Sequence, residues 1–134
     1  MRLFGITIFS SKKAYDLTID STYHEISFEE IINRFSSYYK AYKNLTKETA
    51  KLFTAGKFEL KNSTRRVTEN LVSRSMIVID IDNYNHSLEK LEEEICTSLE
   101  GYNYLYYSTA KHNKDNVRIR LVIPLEKDII RSEY

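Results

Sequence analysis

The chain is short of the residues that build disulfide-stapled, membrane-spanning or linker-rich proteins. Its 134 residues include one cysteine, one proline, three glycines and no tryptophan. A lone cysteine, Cys96, excludes an intrachain disulfide. Its place in a helical pattern makes it a small buried side chain in a reducing compartment. No linker, low-complexity tract or internal repeat is visible. No apolar run approaches the roughly 20 residues that span a bilayer, so no membrane partner is expected. The first residues lack the apolar block and small-residue cleavage site of a secretory signal, and the chain is expected to be cytoplasmic. What is present is ordinary for a globular protein: 42% hydrophobic and 29% charged residues, which excludes wholesale disorder. The length suits a single domain over residues 1–134.

The net charge of +1 conceals a segregation. Residues 40–75 carry nine Lys or Arg against three acids, +6. Residues 76–100 carry one Lys against seven acids, −6, and residues 101–134 return to six against four, +2. A basic stretch followed by an acidic one suits a polyanion path beside a metal-holding centre; solvated helix faces of differing charge would give the same pattern.

Hydrophobic periodicity gives the elements. Arg2–Ser10 reads as a strand with imperfect alternation. Ser27-Phe28-Glu29-Glu30 has the S-x-x-E form of a capping box. The helix it opens carries Phe28, Ile31, Ile32, Phe35 and Tyr39 as an apolar stripe and ends near Tyr42. A shorter helix is expected over Thr46–Thr54, before Gly56, then a brief strand at Phe58–Leu60 and a polar, basic loop over Lys61–Asn70. Met76-Ile77-Val78-Ile79, leading into Asp80-Ile81-Asp82, has the profile of a central strand whose end turns polar. Ser87 is a good N-cap for a helix bearing Leu88, Leu91, Ile95 and Leu99, which Gly101 ends. Tyr104–Ser108 and Val117–Leu125 are further strands, joined by a hairpin-like loop at Lys111–Asn116. The first two of these three strands are expected to run parallel through a right-handed crossover.

Asp80 and Asp82 lie two apart on a strand, so their carboxylates share a face while Ile79 and Ile81 point the other way. Two such carboxylates repel unless something positive lies between them, and Mg²⁺ or Mn²⁺ is the usual solution. Acids of this kind also serve as helix caps or arginine partners. Arg118 and Arg120 share one face of the last strand, opposite Val117, Ile119, Leu121 and Ile123. If that apolar face turns inward, both arginines are aimed at the aspartates' face. There they could hold a triphosphate, together with the hydroxyl of Ser108 and the imidazole of His112, or pair directly with the acids.

Taken together, Ile79-Asp80-Ile81-Asp82, a helix, Tyr107-Ser108-Thr109 with His112, and the Arg-x-Arg strand closing in Val122-Ile123-Pro124-Leu125 resemble the archaeo-eukaryotic primase superfamily, in its phage, plasmid and integrated-element branch. Arg65, Arg66, Asn70 and Val72-Ser73-Arg74-Ser75 resemble that branch too. The resemblance implies an α+β fold: an RRM-like primase catalytic half, strand–helix–strand–strand, preceded by an N-terminal α/β segment packed on the same sheet. It implies that Asp80 and Asp82 hold Mg²⁺ or Mn²⁺. Ser108 and His112 would contact the phosphates of an incoming nucleotide, with His112 serving the catalytic site, although the spacing here is Ser-x-x-x-His rather than Ser-x-His. Arg118 and Arg120 would lie near that nucleotide. A nucleoside triphosphate and a single-stranded DNA template would be the ligands, the template passing Arg65, Arg66 and Arg74. A replicative helicase or other replication protein would be the partner.

One departure is plain. The family draws a third metal carboxylate from a later strand, and Glu126, Asp128 and Glu133 do not sit in such a strand. The chain is then a fragment, a protein completed by a partner, or a reduced relative. Two functions stand side by side: a primase-polymerase nucleotidyltransferase, and a non-catalytic module that binds nucleotide, nucleic acid or a host protein. A tyrosine nuclease of replication initiation, which the eleven tyrosines invite, lacks its paired metal histidines, because His24, His86 and His112 are scattered.

Overall fold

The structure is a computed structural model that describes residues 2–11, 16–41, 52–61, 63–109, 112 and 115–131, with the backbone alone for 36–41. Among these residues, seven strands and two α-helices follow in the order β1 (Phe4–Phe9), β2 (Ser21–Ile26), α1 (Phe28–Ala41), β3 (Leu52–Thr54), β4 (Gly56–Phe58), β5 (Leu71–Tyr84), α2 (Leu88–Ser98), β6 (Leu105–Ser108) and β7 (Val117–Ile130). They form two sheets, ordered β2-β1-β3 and β4-β5-β7-β6. The chain divides into two compact units, one of Met1–Met76 with Leu125–Tyr134 and one of Ile77–Pro124.

In the first unit β1 pairs antiparallel with β2 and with β3. Phe4, Ile6, Thr7 and Phe9 are all buried, so both faces of this strand are covered and its weak alternation follows. Gly5 leaves room for the Tyr23 side chain of β2, whose hydroxyl a Cβ there would meet. Helix α1 is capped as its sequence requires: the Ser27 hydroxyl accepts from the Glu30 N–H, 3.2 Å. The Glu30 carboxylate turns to Arg34 instead of back to the cap. Ile31 is fully buried, whereas Ile32 is exposed, so the core-facing stripe is narrower than the spacing suggests. Asn70, fully buried, donates from its amide to the carbonyls of Ser63 and Arg65 and so holds the basic loop against β5.

In the second unit the order strand–helix–strand–strand is as expected. The pairs Asp80–Arg120 and Asp82–Arg118 step in opposite chain directions, which is the register of antiparallel strands. Strand β7 is also antiparallel to β6, so β5 and β6 run the same way with β7 between them. The Asp-bearing strand and the Tyr strand are therefore parallel in direction but not neighbours. Helix α2 starts on Ser87, whose hydroxyl accepts from the Lys90 N–H, and ends before Gly101 at φ 85°, a left-handed position that glycine takes without strain. Leu91 and Ile95 of α2 pack on Val117, Ile119 and Leu121 of β7, with Ile81, Tyr106 and Ile123 at the margin.

Four expectations need correction. The N-terminal segment does not lie on the same sheet; β1, β2 and β3 build their own. Of the helix expected over Thr46–Thr54, residues 46–51 lie outside the described residues, and Leu52–Thr54 is strand β3, where the Leu-Phe-Thr side chains suit a pleated surface. Cys96 is exposed on α2, because Leu91 and Ile95 take the inward face. Met76 is buried, but Ile77, Val78 and Ile79 remain 43%, 39% and 41% exposed. Pairing with β4 ends at Arg74, so the apolar run is not enclosed as a central strand would be.

Ile119 is 1% exposed at the middle of the second unit's core. Ile119→Ala is expected to cost about 3 kcal/mol, the usual sum of lost burial and cavity, measured by chemical denaturation. Burial and a hydrogen bond with Glu92 hold the Tyr106 hydroxyl neutral and raise its pKa from 10.0 to about 12. The unfolded chain loses that proton first, so stability falls as pH rises from 10 to about 12. Denaturation curves across that window should show a shallower fall in Tyr106→Phe.

Candidate functional site

Strand parity decides which groups meet. On β7 the even residues Arg118 and Arg120 face away from α2, and on β5 Asp80 and Asp82 do the same. The Arg120 Nε donates to Asp80 Oδ1 at 2.6 Å. The Arg118 Nε lies 3.2 Å from Asp82 Oδ1, but its N–H is not aimed at that oxygen. The Nε atom, itself buried, has no hydrogen-bond acceptor. An orphaned buried donor costs about 1–3 kcal/mol. The direct pairing that the sequence left open is thus the arrangement observed.

The aspartates are the accessible members of these pairs. Asp80 and Asp82 are 55% and 39% exposed, Arg120 and Arg118 28% and 27%. Burial works against the Arg120 charge, but the hydrogen bond to Asp80 and the adjacent Tyr107 outweigh it, so its pKa is raised. Tyr107, opposite Arg120 in the β6–β7 register, accepts from Arg120 Nη1 at 3.4 Å. Its own pKa is raised by burial, with Arg120 pulling the other way.

Other expected site residues fall differently. Ser108 pairs with Ile119 across β6 and β7, so it shares the face that α2 covers, at the exposed strand end, and is not brought to the acids. Tyr107, one residue earlier and therefore on the opposite face, supplies the hydroxyl there. A one-residue reading of parity on β6 would have found it. The His112 Nδ1 accepts from the Arg118 backbone N–H at 3.0 Å, while the His112 backbone N–H donates to Thr109 O. The imidazole thus ties the loop to the start of β7. Arg65, Arg66 and Arg74 belong to the first unit. Arg66 stacks over the Phe9 ring, 4.7 Å from its centroid, Arg65 bridges to Asp16 through the backbone, and Arg74 pairs with Gly56. The basic residues Lys40 to Lys51 lie outside the residues whose side chains are described.

Whether a divalent cation fits can be asked of the donors. Among the described residues no three His, Cys, Asp or Glu come together as a metal group. Mg²⁺ bound with a nucleotide needs only one or two protein carboxylates, because phosphate oxygens and waters complete its shell. Asp80 and Asp82 fit that mode, and the unsatisfied Arg118 Nε offers a donor to an incoming oxygen. Beyond the same strand ends, a groove of about 490 Å³ lies between residues 83–87 and Asp115–Asn116. Among the described residues no helix is long and apolar enough to cross a membrane.

Exposed ion pairs contribute little to stability. A double-mutant cycle of Asp80→Asn and Arg120→Gln, read by denaturation, should give a coupling below about 1 kcal/mol. A much larger coupling would make the pair a structural clamp rather than a site held for a ligand.

No curated protein and no solved structure matches the chain. The VapE N-terminal domain family matches residues 10–134. That domain occurs in VapE-like proteins of phages and plasmids, which relate to primase-like replication proteins. With nearly its whole length matched, the chain belongs to the VapE N-terminal domain family.

Proposed function

We propose that this domain is an RRM-like, primase-related module that binds a nucleoside triphosphate with Mg²⁺ or Mn²⁺ for a mobile-element replication protein. The observation that carries the reading is the set of two accessible carboxylates and two half-buried guanidiniums on one sheet face, with the Arg118 Nε lacking an acceptor. As they stand, the charges on that face cancel, so it has no general attraction for a polyanion. A metal–nucleotide complex brings both signs at once. Asp80 and Asp82 would hold the cation, and Arg118 and Arg120, released from them, would take phosphate oxygens as charge-assisted hydrogen-bond donors. The metal would supply charge neutralisation at the phosphates. The groove between residues 83–87 and Asp115–Asn116 leaves room for sugar and base. Arg65 and Arg74, exposed in the first unit, and Arg66 would contact a single-stranded template.

A second reading, nucleotidyl transfer, is favoured by the shared face of Asp80 and Asp82, since a metal-held phosphate lies where a primer hydroxyl could attack. It needs a further carboxylate from outside the described residues. Binding without transfer is the reading that the donor set supports better.

Calorimetry with a nucleoside triphosphate and Mn²⁺ should show binding that neither Mn²⁺ nor nucleotide gives alone. Asp80→Ala and Arg118→Ala should each weaken it at least tenfold while circular dichroism stays unchanged. A primer-extension assay on the same preparation should show no incorporation; incorporation lost in Asp80→Ala would favour transfer. Absence of binding at millimolar nucleotide with Mn²⁺ would sink both.

A further inference from the structure

The exposed apolar segment of β5 is, among the described residues, an unpaired sheet edge as well as an unburied run. The Ser75 N–H donates to Ala55 O on the β4 side, and strand pairing with β4 ends at Arg74. Backbone N–H groups alternate between the two sides of a strand. Those of Ile77, Ile79 and Ile81 therefore point to the side that β4 serves earlier in the strand. Among the described residues no strand pairs there beyond Arg74. Native proteins blunt such edges with lysine, proline or a bulge. Met76 to Ile81 contains no lysine or proline and a single charge, Asp80, which is held by Arg120 on the sheet face, and its Ile77, Val78 and Ile79 are about two-fifths exposed on both faces of the strand.

The geometry points to this edge as the site where a second copy of the chain adds its own β5, antiparallel, about a twofold axis. Self-pairing is favoured over an unrelated strand because the segment is self-complementary in one register. With Ile79 opposite Ile79, Ile77 meets Ile81 of the second copy, and all of these residues carry the outward N–H groups that hydrogen-bonded pairs need. The isoleucines then form one apolar stripe across both copies. Val78 meets Asp80, so no two aspartates stand opposite. A register centred on Asp80 sets Asp80 against Asp80, where like charges repel. A register centred on Val78 opposes Ile77 to Ile79 and leaves Ile81 out. An isologous contact of this kind closes as a dimer instead of growing into a fibre. The inference does not rest on the nucleotide reading: it is argued from the backbone edge and the apolar run, and Asp80, which stands opposite Val78 across the contact, is left unchanged in every variant of its test.

Sedimentation equilibrium of the 134-residue chain, from micromolar to millimolar concentration, tests it. The expected result is a monomer–dimer equilibrium. Ile79→Lys, which sets two lysines face to face, should weaken it at least tenfold, whereas Ile79→Val should keep it. Ile79→Pro removes only an edge-facing N–H, which edge strands tolerate, and should also abolish the dimer while the β7 ladder holds. Circular dichroism and cooperative denaturation identify any variant that fails to fold, and the remaining variants then decide. A wild-type chain that stays monomeric throughout, or a dimer indifferent to every folded Ile79 variant, would overturn the inference.

Discussion

Two fourteen-residue strands, β5 and β7, lie side by side, and the two-residue period of their side chains sets what each surface of the second unit carries. Because they pair antiparallel in the register Asp80–Arg120 and Asp82–Arg118, every second residue of both strands lands on the same face. One face receives Ile81, Val117, Ile119 and Leu121, and helix α2 closes over it with Leu91 and Ile95. The other face receives the four charges. Burial of the first face fixes the register, since a slip of one residue would drive arginines into the helix contact. The charged face is a consequence of that packing.

The charged face is poised rather than satisfied. Asp80 is met by a short hydrogen bond, whereas Asp82 is met only by proximity, and the buried Arg118 Nε has no acceptor. Tyr107 steadies Arg120 from the neighbouring strand, and His112 holds the backbone of Arg118. A face with equal positive and negative charge repels neither a cation nor an anion strongly. This is a different electrostatic character from the basic stretch over residues 40–75, whose Arg65, Arg66 and Arg74 lie in the other unit.

The sequence was most legible where one local rule acts alone. The Ser27 and Ser87 caps, the α2 stripe and the placement of Gly101 were readable because capping and helical period depend on a few neighbouring residues. The alternation of β7 and the i, i+2 spacing of the aspartates likewise placed acids and arginines on one side. Ser108 shows where such reading stopped short. Its face follows from pairing with Ile119, and no window of sequence contains that pairing. Strand β2 carried too weak a pattern to be assigned, and Leu52–Thr54 looked helical until its pairing with β1 made it a strand.

By itself the sequence determined the local elements, the sign of the charge on each segment and the two-residue spacing that makes a shared face available. Tertiary structure alone decided that β7 stands between β5 and β6, that the N-terminal strands form a separate sheet, that Cys96 faces outward, and that the aspartates are met by arginines. It also decided that the apolar run from Ile77 to Ile79 is partly exposed, with no strand among the described residues pairing beside it on the β4 side. The physical reason is that periodicity says which side chains travel together, whereas burial, pairing and edge exposure depend on segments far apart in the chain.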